Sequence, residues 1–308
     1  MLKKIRFLCE ILTDLFFVVL AQIPWACIRT RAIPFHRGFF CDDQTLMYPY
    51  KESSLRRSGL VAINFLIPIF TILILEFILA GLYHQKLTVN EGNKNKGIYV
   101  RFAFKALCAF FIGYGINLTA TYAIKFVTGR LRPNFFDVCN PNYERPCKHQ
   151  FYYNNAICTR NNLLAIRNSR LSFPSKYAST SMYSMVFIAL YLHLRARLCR
   201  LQSFKTFFQT CFILLSLYIC STRIADYRNH WGDVLAGLIL GAIFGIIFAN
   251  SAVNSIYSFL DRKIITRLDS ALPDSNYQGS PANPPYQNNP NFPTNNPQPM
   301  TISSPSRF

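Results

Sequence analysis

Three short segments carry side chains able to handle a phosphate group. Lys125-Phe-Val-Thr-Gly-Arg130-Leu-Arg132-Pro133 closes one apolar run, and Phe173-Pro174-Ser175-Lys176-Tyr177-Ala178 opens another. Thr222-Arg223, followed by His230 and by Asp233 three residues later, joins two more. Together they supply Lys125, Arg132 and Arg223 as fixed cations and Ser175 as a hydroxyl at a helix start. Arg forks grip phosphate oxygens bidentately, and a helix N-terminus adds backbone donors and a favourable dipole. An imidazole becomes a covalent nucleophile when a carboxylate orients one of its nitrogens, and residues at i, i+3 share a helix face. Phosphoryl transfer is the chemistry that wants this set. No metal site is implied, because no Cys/His or carboxylate cluster stands at ligand spacing and the cations supply the charge neutralisation. Taken singly, each residue has a plainer role. Lys125, Arg132 and Arg223 would be interfacial snorkelling side chains, His230 a satisfied interfacial histidine, and Ser175 an ordinary helix N-cap. Their joint order beside membrane ends favours a site.

The elements that position them are apolar. The chain has 308 residues, 51% hydrophobic and 15% charged, with 28 Phe and 17 Tyr. Soluble domains run near 25% charged, so a disordered protein is excluded and an integral membrane protein is expected over a soluble domain. The net charge of +19 would ordinarily raise nucleic acid as a partner. The basic residues instead lie between the apolar runs, which fits anionic headgroups and phosphorylated lipids. Crossing about 30 Å of hydrocarbon takes about 20 residues. Six runs approach that length, at 7–28, 59–83, 102–124, 178–194, 206–221 and 234–260, the fourth and fifth being short. The expected fold is all-α, a polytopic membrane protein with six transmembrane helices. Glu10 and Asp14 sit oddly in the first run: Glu10 belongs at headgroup level, and Asp14 would face the bundle.

Six spans put both termini on one side and gather the connections 29–58, 125–177 and 222–233, with all three segments, on the other. Lys and Arg are split almost evenly, 15 against 17. The short cluster Arg195, Arg197, Arg200 and Lys205 favours a cytoplasmic side for the termini. The cysteines agree. Cys41, Cys139, Cys147 and Cys158 lie on the motif side and Cys199 opposite, so up to two disulfides are expected there with the pairing left open; free buried thiols are the alternative. Gly237, Gly241 and Gly245 are expected to form a close-packing helix face. Residues 1–262 form the membrane domain. Residues 263–308 hold nine of the 17 prolines and are expected to be a disordered cytoplasmic tail. Within it, Asn283-Pro-Pro-Tyr286 matches an internalisation signal for endocytic adaptors, against a chance match in a tail of this composition.

Lys125-x6-Arg132-Pro133, Pro174-Ser175 and Arg223-x6-His230 with Asp233 resemble the three signature motifs of the lipid phosphate phosphatases. These belong to the type-2 phosphatidic acid phosphatase superfamily, with the glucose-6-phosphatases and vanadium haloperoxidases. The resemblance runs over about residues 5–260 and includes Pro34 to Cys41 and Tyr48-Pro-Tyr-Lys51 after the first run. It implies six helices with an extracellular or lumenal site. It also implies metal-independent hydrolysis of phosphatidate, lysophosphatidate, ceramide-1-phosphate and sphingosine-1-phosphate, without a cofactor. His230 would become a phosphohistidine oriented by Asp233, with Lys125, Arg132, Ser175, Lys176 and Arg223 around the phosphate. The departures matter equally. The family's Pro-Ser-Gly-His reads Pro174-Ser175-Lys176-Tyr177 here, so Tyr177 stands where the general acid is expected and Lys176 replaces a glycine. Thr222 replaces a serine. The one Asn-x-Ser/Thr sequon, at Asn117, falls inside a span.

Two functions compete: a slow lipid phosphate phosphatase of the plasma membrane or a lumenal endomembrane, and a catalytically impaired relative that binds lipid phosphates or partners without turnover. A six-helix transporter is disfavoured because no pair of broken spans occurs. Preferred lipid and homo-oligomerisation stay open.

Overall fold

The computed structural model describes residues 2–86, 92–142, 152–154, 157–196 and 202–271. In chain order the helices are α1 (Leu2–Arg31), α2 (Arg57–Lys86), α3 (Gly92–Thr128), α4 (Phe135–Cys139), α5 (Leu163–Ser169), α6 (Lys176–Arg195), α7 (Gln202–Ala225) and α8 (Trp231–Ala271). Four two-residue strands, β1 (Phe39–Phe40), β2 (Pro141–Asn142), β3 (Tyr152–Tyr153) and β4 (Ile157–Cys158), form two antiparallel pairs, β1 with β3 and β2 with β4. The protein is an all-α membrane protein.

Five helices are long and apolar enough to cross a membrane, at Leu8–Arg31, Ser58–Gly81, Tyr99–Thr128, Gln202–Ala225 and Trp231–Phe259. The sixth expected span, 178–194, lies in α6, which does not meet that test. The physical reason is its place. α6 buries Ser179, Thr180, Ser181 and Ser184 together with Tyr183, Met185, Phe187, Ile188 and Tyr191, so its neighbours are protein rather than lipid and hydropathy is not required of it. Ser179 Oγ donates to Asn117 Oδ1 of α3 at 2.8 Å, and Asn64 of α2 donates to Thr180 Oγ1 at 3.3 Å. Such bonds satisfy polar groups that lipid could not.

Glycine sets the distance between α6 and α8. A Cβ on Gly237 would lie 2.6 Å from Ser175 O, one on Gly241 would collide with Ser179 O, and one on Gly245 would stand 3.0 Å from Val186. The expected close-packing face is therefore real: bare backbone on α8 lets the α6 backbone approach, and dispersion rather than water exclusion holds them. On α1, Gln22 Nε2 donates to Phe111 O of α3 at 2.9 Å, and Trp25 stacks on Tyr122 with centroids 6.0 Å apart. Asp14 is half-buried, with Lys105 of α3 as its cationic neighbour, while Glu10 is exposed.

Glu76 of α2 is buried. It accepts from Tyr191 Oη at 2.7 Å and from Arg195 Nε and Nη2 at 2.8 and 3.1 Å. This bidentate pair joins α2 to α6, roughly 30 Å along α2 from its start at 1.5 Å per residue. Glu76→Gln leaves a buried guanidinium uncompensated and should cost about 3–5 kcal/mol, read as a lower midpoint of thermal unfolding in detergent. An unchanged midpoint would make the pair dispensable.

The connections after α1, after α3 and between α7 and α8 meet on one face. Tyr48 N donates to Pro133 O at 3.1 Å, Ser172 N to Arg130 O at 2.8 Å, and Ser175 N to Asp233 O at 2.8 Å. Phe39, Leu46, Leu131, Phe135 and Cys139 form a small apolar core outside the helix bundle. Cys139 and Cys158 are joined by a disulfide, and Cys41 is also disulfide-bonded. Among the described residues the cysteines on this face are thus disulfide-bonded rather than free. Cys147, Cys199, Arg197 and Arg200 lie outside the described residues.

By contact density the chain divides into 1–264 and 265–308. Residues 263–271, expected in the tail, are instead the last turns of α8. The tail from 272 on, including Tyr286, lies outside the described residues.

Candidate active site

The site starts from Asp233, in the first turn of α8 and fully buried. Its Oδ2 accepts from Ser172 Oγ at 2.5 Å and from His230 N at 3.1 Å, and it faces His230 Nδ1 at 3.2 Å. Its Oδ1 accepts from Arg130 Nη1 at 2.8 Å. The carboxylate thus engages one imidazole nitrogen and leaves Nε2 of His230 as the other. His230 keeps 15% of its side chain exposed.

Beside this pair lies a cavity of about 460 Å³. Of the expected residues, Lys125, Arg132, Lys176, Tyr177 and Arg223 line it; Ser175, His230 and Asp233 do not, although Asn229, next to His230, does. Lys125, at the end of α3, is buried and donates to Leu171 O and Ser172 O at 3.0 and 3.1 Å. Two of its three donors therefore hold the segment before α6. Arg132 N donates to Ser169 O at 2.8 Å, which fixes that residue's backbone to α5. Its Nε is buried and has no hydrogen-bond partner among the described residues. Burial, with Arg228 and Arg223 close by, pushes the Arg132 guanidinium down to about 10. It stays charged at neutral pH, yet its surroundings favour an anion.

Arg223 ends α7. Its Nη2 donates to Asp226 Oδ2 at 3.4 Å, and Nε and Nη2 approach Thr222 Oγ1 at 3.4 and 3.3 Å. Thr222 keeps the hydroxyl that the substitution of serine left. The Arg223 guanidinium also stands over the Tyr177 ring, 5.1 Å from its centroid, and Lys176 Nζ stands 4.7 Å from the same centroid. Two cations thus stand over the Tyr177 ring. Ser175 departs from its expected role. It is the N-cap of α6, but its hydroxyl makes no capping bond and donates instead to Asn229 Oδ1 at 3.2 Å. It braces the loop before His230 and is buried away from the cavity.

Several participants had no signal in sequence spacing. Arg29, Arg167 and Arg228 add cations to the lining, and no Asp or Glu is among the lining residues. Asn229 Nδ2 donates to Ser172 O at 2.7 Å. Buried Asp226 accepts from Ser54 N and Ser54 Oγ at 2.9 and 2.5 Å, pinning the segment that brings Tyr50, Ser53 and Leu55 to the cavity. Arg228 holds Lys51 O at 2.8 Å and covers the Tyr50 ring at 4.5 Å. Arg130, Asp226, Arg228 and Asn229 could have been suspected, since all four lie inside the motif segments, whereas Arg29, Arg167 and Ser54 lie outside them.

Comparison with known proteins identifies the family. The PAP2 superfamily profile matches residues 106–257, a span that holds all eight expected site residues. Phospholipid phosphatase 1 of Rattus norvegicus is 35% identical over 237 residues, covering 77% of this chain and 82% of the relative. Phospholipid phosphatase 1 of Mus musculus is 34% identical over 253 residues, 81% and 88%. Phospholipid phosphatase 2 of Homo sapiens is 33% identical over 238 residues, 76% and 79%. No solved structure matches. With its motifs converging on one cation-lined cavity at the end of a helical bundle, the chain belongs to the PAP2 superfamily, in its lipid phosphate phosphatase family.

Proposed function

We propose that the chain is a phosphoric monoester hydrolase that removes phosphate from membrane lipids. The observation that carries this is a buried carboxylate on one imidazole nitrogen, beside a cavity lined by seven cations and no acid. The names of its relatives, phospholipid phosphatases, support a phospholipid substrate, and the motif resemblance suggests phosphatidate, lysophosphatidate, ceramide-1-phosphate and sphingosine-1-phosphate within that class. His230 Nε2 attacks phosphorus, the P–O bond to the lipid breaks, and Tyr177 gives the departing alkoxide its proton. Water then hydrolyses the phosphohistidine and returns a proton to Tyr177, releasing inorganic phosphate and the lipid alcohol. Asp233 holds the ring and offsets the positive charge it gains. Lys125, Arg132, Arg223 and Lys176 neutralise the phosphoryl oxygens, and Ser175 supports the site through Asn229. The oxidised cysteines favour an extracellular or lumenal site, with the plasma membrane as its home.

A second reading rests on Lys176 and Tyr177. A lysine where backbone is expected to approach phosphate, and a tyrosine with two cations over its ring, suit a relative that binds phosphorylated lipid without turnover. Phosphate release from phosphatidate by the purified protein in detergent, with chelator present, separates the two. Release supports the hydrolase; binding without release supports the second reading.

Arg132→Lys and Arg223→Lys keep the charge but lose the planar fork. Each is expected to lower kcat/KM at least tenfold, in the same assay. Full activity in both variants would mean that point charge alone serves the phosphate.

A further inference from the structure

Within the hydrolase reading, we propose that Arg130 is a positioning residue for the nucleophile, acting through Asp233. Arg130 is not among the residues given a role in the reaction above, and it does not line the cavity. Its Nη1 is 2.8 Å from Asp233 Oδ1. Among the described residues the two carboxylate oxygens are divided unequally. Oδ2 takes Ser172 Oγ, His230 N and His230 Nδ1, whereas Oδ1 takes Arg130 alone.

The consequence follows from burial. Asp233 is fully buried, and a buried carboxylate needs a cation close by. Two groups touch it that can be cationic: Arg130, always charged, and His230, charged only when protonated. With Arg130 in place, the carboxylate is compensated while the imidazole stays neutral. Its Nδ1 then donates to Asp233 and Nε2 keeps the lone pair that attacks phosphorus. Without Arg130, His230 is the one contacting group left that can carry a compensating charge, and protonating it removes that lone pair. Arg130 also fixes the carboxylate's rotation, since its bond is the one made by Oδ1.

Other charged groups face the pair from the neighbouring elements. Lys125 at the end of α3 and Arg132 beyond it both act on Asp233. Lys176 and Tyr177 come from α6, Arg223 from α7 and Arg228 from the α7–α8 connection. None of these bonds the carboxylate, and all are unchanged when Arg130 alone is replaced. Arg130 keeps 40% of its side chain exposed, so its loss should cost the fold little.

The test compares wild type, Arg130→Ala and Arg130→Lys as full-length protein in detergent. Three quantities are read: kcat and KM for phosphatidate, the acid limb of the pH–rate profile, and the NMR titration of the His230 ring. For Arg130→Ala we expect kcat to fall about 10- to 100-fold with KM changed less than about threefold. The acid limb and the ring titration should both move to higher pH by about one unit, the size expected for one lost neighbouring charge. The sign is set by protonation: an uncompensated carboxylate stabilises imidazolium, so neutral His230 appears only at higher pH. Arg130→Lys keeps the charge and should return the limb and the ring titration to the wild-type position, with part of kcat. An unmoved ring titration in Arg130→Ala overturns the proposal, as does a failure of Lys to restore it in a protein of wild-type melting temperature. Should wild type release no phosphate, the hydrolase reading fails, and the ring titration still decides whether Arg130 governs His230.

Discussion

His230→Ala is expected to release no phosphate from phosphatidate at any pH and to form no acid-labile phosphoenzyme. No imidazole is among the lining residues that could stand in for His230 beside the cavity, and none of the neighbouring Lys, Arg or Tyr side chains offers an equivalent nucleophile near neutral pH. The loss should be chemical rather than structural. Asp233 keeps its bonds to Arg130, Ser172 and the backbone N of residue 230, so the carboxylate is not orphaned. Vanadate resembles the five-coordinate phosphorus of an in-line displacement and should still bind the cations. Binding at 100 times Kd stabilises a protein by about 2.7 kcal/mol, so the variant should melt higher with vanadate, as wild type does. Undiminished turnover would remove His230 from the mechanism. A variant that neither turns over nor responds to vanadate would instead mark His230 as a structural residue.

The double replacement Tyr177→His with Lys176→Gly is expected to raise kcat at least tenfold. A positioned general acid contributes about 10²–10⁴ in rate, and a lipid alkoxide leaves poorly without a proton. Unperturbed tyrosine gives up its proton near 10 and histidine near 6.5, so tyrosine is the weaker donor but stays protonated across the neutral range. The wild-type profile should therefore fall less with rising pH than that of the double variant, whose new imidazole must be charged to act. The single changes separate two causes. Arg223 and Lys176 both stand over the Tyr177 ring, so Lys176→Gly removes one of the two cations and its bulk from the first turn of α6. Tyr177→His alone restores the acid while leaving that bulk. If the double variant still binds phosphorylated lipid without releasing phosphate, the binding-protein reading replaces the hydrolase.

The membrane class, the pairing of His230 with Asp233 and the gathering of the three segments were legible because each rests on local or counted properties. Apolar length identifies a span, and i, i+3 spacing at a helix start brings a carboxylate back to its imidazole. An even number of spans between segments puts them on one face. Ser175 shows where that legibility stops. Its position as N-cap was readable, but the direction of its hydroxyl depends on Asn229, 54 residues away.

The same limit separates α6 from the other spans. Its hydropathy reads as weak because its polar face meets α2 and α3 rather than lipid, which no window along one helix records. The sequence by itself determined which side chains of the three motif segments could handle a phosphate, since residue type and spacing decide charge, nucleophilicity and span. Only the tertiary structure decided their partners. Arg130 finds Asp233 across 103 residues, and Asp226 finds Ser54 across 172. Such long-range bonds depend on how the bundle closes its loops over one another, and that closure follows from packing rather than from any local pattern.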